Sequence, residues 1–125
     1  MARVFIIDDD PILRKILFKM LKNYDEQLDV TCYEDGVEAI ADLKSVTEMP
    51  ELIFLDINMP IMNAWEFVET YDSLELPRVP IYILSSSIDQ RDISRASSLE
   101  LIMDYIIKPM KREVLHQICK EVFES

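Results

Sequence analysis

Apolar positions along the chain fall into short runs and helical stripes that alternate without a break. Arg3–Ile7 (RVFII) is a short apolar run closed by Asp8, Asp9 and Asp10, the pattern of a buried strand. Pro11 then suits a first helical turn and Asp10 its N-cap. The stripe predicts a helix to Tyr24 with Ile12, Leu13, Ile16, Leu17, Met20 and Leu21 inside, and Arg14, Lys15, Lys19 and Lys22 outside that face. Residues 28–33 alternate like an edge strand, and a second helix over 37–45 follows Gly36, the only glycine.

The next run is LIFL, residues 52–55, continuous enough for a strand covered on both faces. It stops at one carboxylate, Asp56, with the turn residues Asn58 and Pro60 just beyond. Asn63 and Glu66 have capping-box spacing for a helix over 64–74. Residues 80–84 (PIYIL) form a fourth strand closed by Ser85, Ser86 and Ser87. A polar helix over 90–99 with Asp89 as its cap follows, then a fifth strand at 105–107 ending at Lys108-Pro109. The last helix, 111–123, is expected to turn Val114, Leu115, Ile118 and Val122 inward.

Five strands alternating with five helices imply an α/β fold: a parallel sheet, right-handed crossovers and helices on both faces. The expected strand order is 2-1-3-4-5, the flavodoxin-like arrangement, with ligands beyond the carboxyl ends of neighbouring strands 1 and 3. Four strands then end in polar groups at one mouth: Asp8 and Asp9, Asp56, Ser85, and Lys108. Strands lie about 4.8 Å apart, so Lys108 starts about 10 Å from Asp56, within reach of its long stem.

Composition narrows the chemistry. The 125 residues suit one domain, 1–125, and half of them are hydrophobic, which excludes a disordered chain. No apolar run approaches the roughly 20 residues of a membrane span. Met1 opens directly into a strand-like segment without a signal peptide, and Cys32 and Cys119 lack metal or CxxC spacing, so a cytoplasmic protein with reduced thiols is expected. A net charge of −11 excludes direct nucleic-acid binding, which needs clustered Lys and Arg, and favours a protein partner or a cation. Asp8, Asp9 and Asp56 crowd about three negative charges into a crevice where Lys108 supplies only one positive charge. An all-oxygen set with few carboxylates suits Mg²⁺, which also binds phosphate oxygens. A carboxylate can serve as nucleophile and become an aspartyl phosphate. No glycine-rich loop is present to cradle a nucleotide, so ATP is not the expected donor.

The motifs IIDDDP, LDINMP, ILSSS and DYIIKP, in that order, resemble the receiver domains of two-component response regulators over essentially the whole chain. The segment INMPIMNAWEF looks most like small stand-alone CheY-like receivers. This resemblance implies that Asp56 accepts a phosphoryl group from a sensor histidine kinase or a phosphotransfer protein. It implies that Asp9, Asp56 and the backbone carbonyl of Asn58 bind Mg²⁺, with Asp8 helping through water. Ser85 would bond a phosphoryl oxygen and Lys108 would pair with it. Tyr105 matches the switch aromatic, and Asn58 and Ser87 match positions that tune dephosphorylation. The protein would then be no enzyme beyond its own phosphoryl transfer and autodephosphorylation, signalling to an output protein, with a homodimer on phosphorylation as an option. Two positions depart from the pattern: Ala64 and Leu101 stand where glycine is usual. A positive φ at Leu101 would carry a steric penalty.

Other residues read more plainly. Trp65, Phe67 and Tyr71 are expected in helix packing, His116 on the solvated surface, Ser86 in a loop, and Met103 and Met110 at a partner surface with Ile106. The chain also resembles haloacid-dehalogenase-type phosphatases through Asp8, Asp10, Ser85 and Lys108. That reading leaves Asp56 without a role and lacks a final acidic strand end, since Glu113, Glu121 and Glu124 all lie in the last helical pattern. An interaction domain that works without phosphorylation is a third reading, disfavoured by the intact Asp56 and Lys108.

Overall fold

A computed structural model describes residues 2–45 and 48–124, so Met1 and its expected role lie outside the described residues. The elements run β1 (Arg3–Ile7), α1 (Pro11–Tyr24), β2 (Asp29–Tyr33), α2 (Gly36–Ser45), β3 (Leu52–Leu55), α3 (Ala64–Ser73), β4 (Ile81–Ser85), α4 (Gln90–Ser97), β5 (Ile102–Ile107) and α5 (Arg112–Phe123). All strand pairs are parallel, in the order β2-β1-β3-β4-β5. β2 is an edge, as its half-polar alternation predicts.

The period of two along each strand splits the core. Val4, Ile6, Leu52, Phe54, Tyr82 and Leu84 face α1 and α5, while Phe5, Ile7, Ile53, Leu55, Ile81 and Ile83 face α2, α3 and α4. The three central strands are thus buried on both faces, which is why they read as unbroken apolar runs. Gly36 is buried at the start of α2, where an added Cβ would come within 3.0 Å of the Met62 sulfur and 3.2 Å of the Phe67 ring. Its use here is close approach, not a special φ.

The caps hold α1, α3 and α4 at the site end of the sheet. Asp10 accepts from the Ile12 and Leu13 amides at 3.0 and 3.4 Å. Asn63 and Glu66 form the reciprocal capping box of α3, at 2.9 and 3.1 Å. Asp89 accepts from the Arg91 amide at 2.9 Å to start α4. Each such cap contributes about 1 kcal/mol.

Several expectations need correction. On α1 only Leu17 and Leu21 are fully buried, while Ile12 is 70% and Ile16 51% exposed. The apolar stripe is wider than the strip of sheet that α1 covers. Val114 is likewise exposed on α5, with Leu115, Ile118 and Cys119 taking the inner positions. β5 starts three residues earlier than its apolar pattern suggests. Ile81 pairs with Ile102 and Tyr82 with Asp104, so Met103 is skipped at a bulge and left 60% exposed, which breaks the alternation. Met110 is buried against α5 and is not presented to a partner. His116 is half-buried, edge-on to Tyr24 at 5.2 Å, so it is only partly solvated. Leu101 is buried without a positive φ, since Glu75 is the only non-glycine residue with one among the described residues. Ala64, the other departure, begins α3 normally, its amide donating to the Ile57 carbonyl at 3.0 Å.

Candidate functional site

The carboxyl ends of β1, β3 and β4 and the residue after β5 meet at one mouth. Asp8 (3% exposed) and Asp56 (7% exposed) stand at the ends of adjacent strands β1 and β3, while Asp9 is exposed beside them. One carboxylate oxygen from each of the three acids lies within 4.8 Å of the others. Ser85, the last residue of β4, is buried. Its carbonyl accepts from the Lys108 amide at 2.8 Å, which fixes where the lysine leaves β5.

From there the Lys108 ammonium reaches Asp8 Oδ2 at 3.0 Å and Asp56 Oδ1 at 3.6 Å. Asp56 Oδ1 also accepts from the Ile57 amide at 2.9 Å. Among the described residues no hydrogen bond reaches Asp56 Oδ2. One oxygen is held and the other is free.

Burial pushes the Asp56 carboxyl up to about 6, and the Asp8 charge adds to the effect; Lys108 and the Ile57 amide pull the other way. Burial also raises Asp8, opposed by the Asp10 amide and Lys108. The pocket therefore holds more negative charge than its single lysine balances. The donor set is all oxygen and the charge is in excess, which fits a hard divalent cation.

A second network runs from Ser85 outward. Ser85 Oγ accepts from the Ser87 amide at 3.1 Å. Ser87 Oγ accepts from the Asp89 amide at 3.2 Å and donates to Asp92 Oδ2, on α4, at 2.7 Å. Tyr105, half-buried on β5, donates its hydroxyl to the Ser87 carbonyl at 2.8 Å. Asn58 is exposed on the loop after Asp56, and Ser86 is exposed and outside this network.

The structure thus gathers Asp8, Asp9, Asp56 and Lys108 directly, and joins Ser85, Ser87 and Tyr105 by hydrogen bonds. Sequence reasoning missed Arg14, whose guanidinium donates to the Asp8 carbonyl at 2.6 Å. It missed Asp92, and also Arg95, which lies over the Trp65 ring at 4.9 Å and joins α4 to α3. Phe67 and Tyr71 pack in the core as expected. The only available signal for Arg14 was its place one helical turn beyond Asp10.

The family model for the response regulator receiver domain matches residues 4–120. The chain is 30% identical over 126 residues to an uncharacterized response regulatory protein of Vibrio vulnificus, covering 100% of this chain and 49% of that protein. It is 32% identical over 108 residues to a protein-glutamate methylesterase/protein-glutamine glutaminase of Caldanaerobacter subterraneus, covering 86% of this chain and 28% of that protein. The chain therefore spans about half, or less, of the length of these curated relatives. Among solved structures it is similar to a two-component response regulator from Cytophaga hutchinsonii, with a TM-score of 0.87 and 26% identity, covering 100% of this chain and 98% of that one. It is also similar to the phosphorylated cyanobacterial phytochrome response regulator RcpA, with a TM-score of 0.81 and 29% identity, covering 98% and 91%.

The chain belongs to the response regulator receiver domain family. Its two-component response regulator relatives accord with a receiver role, and the phosphatase reading is not favoured. No helix among the described residues is long and apolar enough to cross a membrane.

Proposed function

We propose that Asp56 is the phosphoacceptor, with Lys108 and Ser85 as its catalytic partners. The observation that carries this is the division of its two oxygens. Oδ1 is held by the Ile57 amide and Lys108, while Oδ2 is free of protein hydrogen bonds at the mouth of the sheet. Oδ2 attacks phosphorus, a new O–P bond forms, and the P–N bond to the donor histidine breaks as that nitrogen takes a proton. Lys108 moves its charge onto a phosphoryl oxygen, and the Ser85 hydroxyl donates to another.

Asp9, Asp56 and the Asn58 carbonyl would hold Mg²⁺, with Asp8 acting through water because both of its carboxylate oxygens already have protein partners. When bound, the ion neutralises charge on the moving group. Asp56 and the phosphoryl oxygens carry too much negative charge for Lys108 alone. Asn58 and Ser87 flank the site as tuning residues for hydrolysis of the acyl phosphate, and Ser85 and Tyr105 form the switch.

The domain, taken as residues 1–125, would receive its phosphoryl group from a sensor histidine kinase or a phosphotransfer protein and pass the signal to an output protein. It would catalyse nothing beyond its own phosphorylation and hydrolysis. Free thiols at Cys32 and Cys119 accord with a cytoplasmic location. The phosphorylated state of RcpA supports the same chemistry here by analogy. The test is incubation with a small phosphodonor such as phosphoramidate, with Mg²⁺ or with a chelator. A hydroxylamine-sensitive adduct that needs Mg²⁺ and shrinks sharply in Asp9→Ala is expected. Equal labelling in chelator would refute the cation's part.

A further inference from the structure

Asp8 is engaged at every polar group it has. Its amide donates to the Tyr33 carbonyl at 3.0 Å, tying the end of β1 to the end of β2. Its Oδ1 accepts from the Asp10 amide at 2.9 Å and its Oδ2 meets Lys108 at 3.0 Å. Its carbonyl accepts from Arg14 Nη1 at 2.6 Å. Asp9, by contrast, is exposed and receives no hydrogen bond among the described residues.

We propose that Arg14 is a positioning residue for the acidic pocket: by holding the Asp8 carbonyl it orients the peptide from which Asp9 projects. The peptide unit is planar, so fixing the carbonyl oxygen of Asp8 also fixes the amide and Cα of Asp9. Arg14 is well placed for this because α1 itself is held. Asp10 caps the helix through Ile12, and the Arg14 amide closes the first helical turn onto the Asp10 carbonyl at 3.0 Å. The guanidinium thus folds back from a rigid helix onto the loop immediately before it. It is half-buried, so water competes only partly for the carbonyl. This inference rests on the proposed cation site at Asp9 and Asp56, and gives its two neighbouring acids different tasks. Asp8 is a fixed element of the wall, and Asp9 is the side chain aimed from it.

A rival account makes Arg14 only a positive charge near the pocket. The two accounts differ in sign. A cation removed from beside a cation site should strengthen Mg²⁺ binding. Loss of an outer partner that aims a ligand should weaken it, by about tenfold.

The experiment is calorimetric titration of the full chain with Mg²⁺ for wild type, Arg14→Met, Arg14→Lys and Asp9→Ala, with the Asp10 amide followed by NMR. Arg14→Met keeps the packing stem and removes every donor, while Arg14→Lys keeps the charge and one donor group. The expected result is about tenfold weaker binding in Arg14→Met, recovery in Arg14→Lys, and a shifted Asp10 amide resonance only in Arg14→Met. Wild-type or tighter affinity in Arg14→Met, with Asp9→Ala impaired, overturns this inference and leaves the cation site standing. Unimpaired binding in Asp9→Ala overturns both. Should Arg14→Met fail to fold, wild-type affinity and an unmoved Asp10 amide in Arg14→Ala overturn the proposal in the same way.

Discussion

The Lys108 ammonium lies nearer to Asp8, at 3.0 Å, than to Asp56, at 3.6 Å. The lysine therefore already has a partner before any phosphoryl group arrives, and the acid at the end of the central strand is only partly neutralised. Replacing Lys108 by Met leaves buried Asp8 and Asp56 facing each other without a cation. The Mg²⁺-free protein should lose about 2 kcal/mol at neutral pH. Mg²⁺ should bind more tightly, because its competitor is gone, while phosphorylation slows. Chemical denaturation in chelator, Mg²⁺ titration and the rate of labelling by a small donor test the three directions. Weaker Mg²⁺ binding would contradict the charge argument.

The raised pKa of the buried Asp56 carboxyl makes a pH prediction with a definite sign. Burial pushes its carboxyl up to about 6 in the folded protein, against 3.8 for an ordinary aspartate. Between those values the native state binds more protons than the unfolded chain, so stability falls as pH rises from about 4 to 6, then levels off. Two pH units correspond to about 3 kcal/mol as an upper figure. Asp8, raised in the same direction, adds to the slope. Urea midpoints in chelator at pH 4.5 and pH 7 should thus favour the lower pH, beyond the background of other carboxylates. Asp56→Asn should flatten the difference and be the more stable protein at pH 7. A wild-type slope unchanged in Asp56→Asn would contradict the burial argument.

The Tyr105–Ser87–Asp92 chain sets out how the site would speak to α4. Ser87 is held from below by Ser85, touches Asp92 on α4 through its hydroxyl, and receives Tyr105 on its carbonyl. Ala96 is the one buried residue of α4, so little buried side-chain area opposes its movement. A shift of Ser85 toward a phosphoryl group should move Ser87 and both of its partners. The population of the second state can change only by the difference in these contacts. Ser85→Ala is predicted to keep phosphorylation at Asp56 and to weaken the response of α4. Amide exchange over residues 90–97, with and without a phosphoryl mimic, is the readout. An equal response in both proteins would break the link.

Much of this architecture was legible in the residues alone, for physical reasons. Strands buried on both faces must be continuous in apolar residues, so β1, β3 and β4 announced themselves, and the polar residues that end them had to meet at one edge of a parallel sheet. Asp8, Asp9, Asp56, Ser85 and Lys108 follow from that rule. Ile12 and Ile16 misled because an apolar stripe does not reveal how much of it the sheet covers. Met103 hid the start of β5, since a bulge turns one residue out of step. Arg14 was invisible as a site residue because its role depends on a side chain folding back onto the preceding loop. No periodicity encodes that. Nor does a stretch of serines disclose that Ser87, and not Ser86, carries the link to α4.

The most direct test of the account is intact mass spectrometry of the full chain after Mg²⁺ and phosphoramidate, under mild conditions, for wild type and Asp56→Asn. Wild type is predicted to carry a single labile phosphoryl adduct, lost on treatment with hydroxylamine, and Asp56→Asn none. An adduct that persists unchanged in Asp56→Asn would contradict the central claim and move the nucleophile to another acid of the pocket, Asp8 foremost.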